Sequence, residues 1–126
     1  MFKRIDHVEI IPCNLEKTMS FYTDILGFRI KQRYKIDVSP LAEVVYLELN
    51  DTVVELMRVK EPVPASQNPW QIGYRALAIE VDDMDETIKY LNDKGVAVTW
   101  GPVISGKSKR AEIKDPDGLI IELRQW

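Results

Sequence analysis

Short apolar runs along the chain predict a series of strands. They are rich in Val, Ile and Leu, the composition that favours strands, and they lie at residues 5–11, 43–49, 52–58, 74–81, 110–114 and 119–124. Asn50 and Asp51 link one pair of runs, and Asp-Pro-Asp-Gly at 115–118 links the last pair. The residues of that second link suit a tight turn, so we expect a hairpin there.

Between these runs, two segments carry apolar residues at helical spacing. In the segment at 84–91, Met84, Ile88 and Leu91 fall on one face, and Asp83 followed by Glu86 forms a capping-box pattern. A similar apolar stripe over 15–26 predicts the other helix. Each helix is followed by a glycine, at 27 and at 95, which suits the left-handed position that often ends a helix.

The order of these elements repeats once. Glu55 lies in Val-Val-Glu-Leu and Glu122 in Ile-Ile-Glu-Leu, 67 residues later, while the opening strands at His7 and Ala76 are 69 residues apart. We interpret this as a duplicated βαβββ unit. Module 1 spans 3–60 and module 2 spans 73–126, and the segment at 61–72, which contains three prolines, is the linker.

Composition narrows the class of protein. The 126 residues are 45% apolar and 29% charged, as in a folded globular domain. A net charge of −3 argues against binding to nucleic acid, and no apolar run approaches the ~20 residues that span a bilayer. The N-terminus enters a strand-like pattern without a signal-peptide apolar region, so we expect a cytoplasmic protein. The single cysteine, Cys13, excludes an internal disulfide and is expected to be a small buried apolar residue.

Two carboxylates stand among aliphatic residues in the repeated strands. Burying Glu55 or Glu122 is costly unless a positive group meets it, and a metal ion is one solution. His7, the only histidine, begins the corresponding strand of the first unit and offers an imidazole. One imidazole with two carboxylates suits a divalent cation. The alternative is that both glutamates face solvent and that His7 is an ordinary surface residue.

Three segments carry a resemblance to a known superfamily: Asp-His-Val-Glu-Ile at 6–10, Phe-Tyr-Thr-Asp-Ile-Leu-Gly-Phe at 21–28, and Asp-Pro-Asp-Gly-Leu-Ile-Ile-Glu-Leu at 115–123. They resemble the vicinal oxygen chelate superfamily, which includes glyoxalase I, bleomycin-resistance proteins and extradiol dioxygenases, and they look most like glyoxalase I. The resemblance covers essentially the whole chain. It implies a single α+β domain in which two tandem βαβββ modules form a curled, open mixed sheet around a metal, and it implies a homodimer.

The family's four metal positions fall on His7, Glu55, Ala76 and Glu122. Ala76 has only a methyl group where metal-binding relatives have a second histidine, which argues against the dioxygenases. The resemblance therefore implies weakened binding of a divalent ion (Mn, Ni, Zn or Mg), shifted towards Mn or Mg. Ile11 stands where glutathione-dependent members have an arginine, which argues against a glutathione-linked substrate.

The activity implied by the resemblance is that of a metal-assisted lyase or isomerase. Its substrate would be a small hydroxycarbonyl or thioester with vicinal oxygens, converted through an enediolate-type intermediate. By analogy with the family, Glu122 is the catalytic base, Glu55 a ligand or partner acid, and His7 a ligand. Glu9 shares a face with His7 and offers an additional acid–base group.

Two other activities in the superfamily remain as alternatives. One is epimerisation of an acyl-CoA next to its carbonyl. The other is metal-free sequestration of a small molecule, as in bleomycin-resistance proteins, which Ala76 favours and which an aromatic cleft of Trp70, Tyr74 and Trp100 would serve. The basic run Lys-Ser-Lys-Arg at 107–110 is expected to be a loop that either holds an anionic group such as a carboxylate or phosphate or faces water.

Overall fold

The chain folds as two compact units, and each repeats the same order of elements. The computed structural model describes residues 1–126 and divides them into Met1–Pro64 and Ala65–Trp126. The fold is α+β and consists of two βαβββ modules, as the repeat predicts. None of the helices has the length and apolar character that a membrane crossing requires.

The first unit contains one helix and a four-stranded sheet. Strand β1 (Val8–Ile10) leads to helix α1 (Leu15–Ser20), which continues as a π-helical turn (Phe21–Ile25). Strands β2 (Arg29–Val38), β3 (Leu41–Leu49) and β4 (Thr52–Val59) follow. The sheet order is β1-β4-β3-β2, with β1 parallel to β4 and the remaining pairs antiparallel.

The second unit repeats this arrangement. It contains strand β5 (Leu77–Glu80), helix α2 (Met84–Asp93), and strands β6 (Trp100–Ser105), β7 (Ser108–Lys114) and β8 (Ile120–Gln125). The order is β5-β8-β7-β6, and β5 is parallel to β8. As predicted, the carboxylate of Asp83 caps α2 by accepting a hydrogen bond from the backbone N–H of Glu86 at 2.9 Å.

Strand alternation separates a core face from a polar face in each sheet. In the first unit, Val54 and Leu56 of β4 are buried with their β3 partners Leu47 and Val45. In the second unit, Ile121 and Leu123 of β8 are buried with Ile113 and Ala111 of β7. The residues between these positions, Glu55 and Glu122 among them, therefore point to the opposite face of their own sheet.

Several local predictions were wrong. The opening strands are shorter than 5–11 and 74–81, so His7 lies just before β1. The helix predicted at 15–26, by contrast, is present: it is α-helical over Leu15–Ser20 and continues as a π-helical turn over Phe21–Ile25, where the hydroxyl of Thr23 donates to the backbone carbonyl of Met19 at 3.0 Å. The basic run at 107–110 is not a loop, because Ser108 begins β7. Cys13 is exposed rather than buried.

Candidate metal-binding site

Three potential ligands lie on the polar face of the first sheet. Parallel pairing of β1 with β4 places Glu9 opposite Glu55. His7 precedes Glu9 by two residues, and the alternation of an extended chain brings it to the same face. The convergence therefore follows from the register of two strands that are far apart in sequence.

The donor atoms of this cluster are close enough to share one ion. Nε2 of His7 lies 3.2 Å from Oε2 of Glu55 and 3.5 Å from Oε1 of Glu9. One donor atom from each of the three residues lies within 4.8 Å of the other two. Glu55 is only 5% exposed, so it does not face solvent as the alternative interpretation of the sequence proposed.

A fourth residue, Asp6, orients the imidazole. Its carboxylate accepts a hydrogen bond from Nδ1 of His7 at 2.9 Å, which leaves Nε2 directed towards the two glutamates. This bond is the main cause that raises the pKa of His7; burial opposes it, and Glu9 and Glu55 add to it. A metal-binding histidine commonly donates the N–H of its other ring nitrogen to a carboxylate in this way, which fixes the orientation of the ring.

Tyr46 holds the buried carboxylate from the neighbouring strand. It is the β3 partner of Glu55, and its hydroxyl is hydrogen-bonded to that carboxylate. This bond, followed by burial, raises the pKa of Tyr46 far above its usual value, so the phenol stays protonated and donates. The Tyr46 ring also packs edge-on against His7, with 5.8 Å between ring centroids.

This donor set fits a divalent cation. It offers Nε2 of His7, whose Nδ1 is already hydrogen-bonded to Asp6, together with the buried carboxylate of Glu55 and the exposed carboxylate of Glu9. Oxygen-rich sets with a single nitrogen suit Mn²⁺ or Mg²⁺ better than the softer ions. His7 and Glu55 were predicted as ligands. Glu9 was predicted only as an acid–base group, and Tyr46 and the role of Asp6 were missed, although the link at Asn50 and Asp51 already implied that residue 46 pairs with residue 55.

The second unit has a different set of residues on its polar face. Ala78 pairs with Glu122 as Glu9 pairs with Glu55, so Ala76 takes the place of His7. Glu112, rather than a tyrosine, lies opposite Glu122 on β7, and it accepts a hydrogen bond from Nη1 of Arg75 at 2.9 Å. Glu122 is half-buried, and its roles as ligand and base stay predictions.

Comparisons with known proteins agree with the fold. The family model described as "Glyoxalase/Bleomycin resistance protein/Dioxygenase superfamily" matches residues 4–123. The chain is 33% identical over 129 residues to lactoylglutathione lyase of Neisseria meningitidis, covering 97% of this chain and 90% of that one. It is 29% identical over 134 residues to the mitochondrial methylmalonyl-CoA epimerase of Mus musculus, covering 97% and 72%.

A solved structure extends the comparison to three dimensions. The glyoxalase family protein from Enterococcus faecalis superimposes with a TM-score of 0.84 at 28% sequence identity, covering 98% of each chain. The chain therefore belongs to the glyoxalase/bleomycin resistance protein/dioxygenase superfamily, as its sequence motifs implied.

Proposed function

We propose that this protein is a metal-assisted lyase or isomerase that acts on a small substrate with two adjacent oxygens, a hydroxycarbonyl or a thioester. The observation that carries the proposal is the cluster of His7, Glu9 and Glu55, with Asp6 and Tyr46 behind it. A relative named lactoylglutathione lyase, at 33% identity over nearly the whole chain, supports this class of reaction.

His7 and Glu55 hold the cation in this proposal, and Glu9 completes the cluster in the first unit. When bound, a divalent cation supplies Lewis acidity to the paired oxygens of the substrate. Tyr46 donates to Glu55 and thereby holds that buried carboxylate in position. Glu122, the third ligand that the family resemblance implies, belongs to the second unit, and its role as a ligand stays a prediction.

Proton transfer is assigned to carboxylates. Glu122 is the proposed base, which takes a proton from carbon and returns it to the neighbouring position. Glu9 is exposed and is the proposed additional acid–base group. Ile11 brings no positive charge to hold a substrate carboxylate, so a glutathione-linked substrate is not part of the proposal. The cytoplasmic location and the homodimer stay predictions.

Metal binding is the first test. Chelator-treated protein is titrated with Mn²⁺ and Ni²⁺ by calorimetry, and stoichiometric binding is expected. His7→Ala and Glu55→Gln should each weaken binding at least about tenfold, since even a residue that only supports a ligand typically contributes 10–100-fold. Glu48→Gln is the matched control, because Glu48 forms an ion pair with Arg29 on the same sheet.

The outcomes separate the proposal from a different class of protein. A lack of saturable binding with both ions would contradict the metal-dependent mechanism. It would favour metal-free sequestration of a small molecule, the second candidate, for which the specific observations are Ala76 in a ligand position and the strongly exposed side chains of Trp70 and Tyr74. Binding that is unchanged in His7→Ala and Glu55→Gln would place the metal elsewhere.

The epimerase alternative differs in substrate rather than in metal chemistry. The 29% identity to a methylmalonyl-CoA epimerase supports a thioester substrate. Exchange of solvent deuterium into the carbon next to the carbonyl, measured by mass spectrometry on a hydroxycarbonyl and on an acyl-CoA thioester, separates the two substrate classes. Glu122→Gln should abolish exchange on whichever substrate reacts, and full exchange by this variant would exclude Glu122 as the base.

A further inference from the structure

The second unit contains a pocket lined by two arginines and two serines. Its volume is about 220 Å³, and its lining residues come from β6, β7 and β8. They are Val103, Ser105, Ser108, Arg110 and Arg124. Ser105 and Ser108 pair across the β6–β7 hairpin, and Arg110 pairs with Arg124 across β7 and β8. The register of two adjacent hairpins therefore brings two hydroxyls and two guanidinium groups to one pocket.

The positive charge of this pocket is only partly balanced. Arg110 and Arg124 share one carboxylate oxygen, Oε1 of Glu122, at 3.9 and 3.8 Å, and both distances exceed that of a hydrogen bond. The neighbouring Glu112 is bound by Arg75, and Lys109 is paired with Asp85. Two arginines, Arg110 and Arg124, face the single carboxylate of Glu122, which leaves an excess of positive charge. Because like charges directly opposite each other on adjacent strands are destabilising, this excess weakens the pairing of β7 with β8.

One donor in the pair has no acceptor. Nε of Arg124 is buried and has no hydrogen-bond partner. Leaving a charged donor buried and unpaired carries a substantial free-energy cost, and native proteins rarely retain such a group without a reason. An anion bound between the arginines would not reach this buried Nε. It would accept from the exposed edges of the two guanidinium groups, whose side chains are 46% and 25% exposed, and neutralise the excess charge.

Aromatic rings fix the orientation of both guanidinium groups. The Arg124 guanidinium carbon lies 4.0 Å from the centroid of the Trp126 ring, and that of Arg110 lies 5.4 Å from the centroid of Trp100. Stacking uses the face of a guanidinium and leaves the N–H groups at its edge free for hydrogen bonds. The pair is therefore restrained in a way that suits recognition of an oxyanion.

We propose that this pocket binds the oxyanion group, a carboxylate or a phosphate, of a small molecule. Arg110 and Arg124 supply charge-assisted hydrogen bonds, and the hydroxyls of Ser105 and Ser108 supply neutral ones. The volume accommodates such a group with a few attached carbon atoms. Every lining residue belongs to the second unit, so the inference does not depend on His7, Glu9 or Glu55. Both arginines lie beside Glu122, the proposed base, but anion binding does not require that role, and the inference goes beyond the proposed function.

Chelator-treated protein is titrated with inorganic phosphate and, separately, with acetate at constant ionic strength in chloride. Binding is followed by tryptophan fluorescence, because two of the three tryptophans stack on the pocket arginines. We expect saturable binding of at least one anion and about a tenfold loss of affinity in Arg124→Met and in Arg110→Met, the size expected for loss of a charge-assisted hydrogen bond. Arg29→Met, which removes the same charge from an exposed ion pair, should bind like the parent protein.

A preference for phosphate would indicate a phosphorylated ligand, and a preference for acetate a carboxylic acid. Lack of saturation with both anions, or affinity unchanged in both arginine variants, would overturn the proposal. Circular dichroism checks folding, and if Arg124→Met does not fold, Arg110→Met and Arg124→Lys carry the test. Because no metal is present, failure here leaves the metal-dependent function untouched, and failure of metal binding leaves this pocket untouched.

Discussion

At the scale of single residues, His7 has no substitute in this protein, because it is the only imidazole in the chain. Its two nitrogens have different partners: Asp6 accepts from Nδ1, while Nε2 faces Glu55 and Glu9. These carboxylates stabilise the imidazolium, so protons and metal ions compete for Nε2. Metal affinity should therefore fall as the pH drops below the raised pKa of His7.

Removal of the strongest of these interactions gives a pH prediction for metal-free protein. Asp6→Asn should lower the pKa of His7 towards its ordinary value of 6.5, since the Asp6 hydrogen bond is the largest cause of its increase. NMR titration of the single histidine ring measures this directly. A raised folded-state pKa stabilises the fold at pH values below the unfolded-state pKa, and that stability is lost as pH rises through the folded-state pKa. The variant should lose part of this pH dependence.

The control for that prediction removes the same charge elsewhere. Asp51 lies in the turn between β3 and β4 and is not among the groups that shift the pKa of His7. The histidine titration of Asp51→Asn should therefore match that of the parent protein. An unchanged pKa in Asp6→Asn would mean that Glu9 and Glu55 alone hold the imidazolium.

At the scale of elements, the β6–β7 hairpin depends on a glycine that permits close approach of its two strands. Gly101 of β6 has φ +80°, and a Cβ there would lie 2.6 Å from the carbonyl oxygen of Arg110. Gly101→Ala should therefore destabilise the fold by more than the roughly 1–2 kcal/mol expected for a left-handed backbone alone. Gly106→Ala is the matched control, because φ there is +62° and no atom lies within 4 Å of the added Cβ. Urea unfolding compares them, and equal losses would show that β6 shifts to avoid the clash.

The burial of each strand explains which elements could be predicted from the sequence. Strands β3, β4, β7 and β8 each bury one face or more, so their apolar residues were visible in the chain. Strand β2 carries Tyr34, Ile36 and Val38 at alternate positions, a strand pattern that the predicted elements did not include, and β6 is a short strand whose residues are all exposed. Their positions follow from hydrogen bonding to β3 and β7, which are tertiary contacts. The candidate site divides in the same way. His7 and Glu55 could be identified as ligands from the sequence, whereas the roles of Asp6 and Tyr46 depend on contacts that the fold creates.

At the scale of the whole molecule, duplication has given two sheets of the same topology with different chemistry. Tyr46 and Glu112 occupy corresponding positions opposite Glu55 and Glu122, and so do His7 and Ala76. The order of elements was predictable because both copies keep the same apolar positions. The chemistry of each polar face was not, because those side chains do not form the core, and the fold therefore tolerates an alanine or an arginine there.

Ala76→His restores the histidine that the family pattern places at position 76. If the two halves contribute ligands to one ion, Ala76→His should raise the affinity for Mn²⁺ or Zn²⁺ by at least about tenfold, since an added imidazole replaces a water ligand. Ala65→His adds the same group to an exposed position of the linker and should change nothing. Calorimetry on chelator-treated proteins measures both.

A gain in Ala76→His that disappears in Ala76→His combined with Glu122→Gln would assign Glu122 to the same ion. No gain would show that position 76 does not reach the ion held by His7, Glu9 and Glu55.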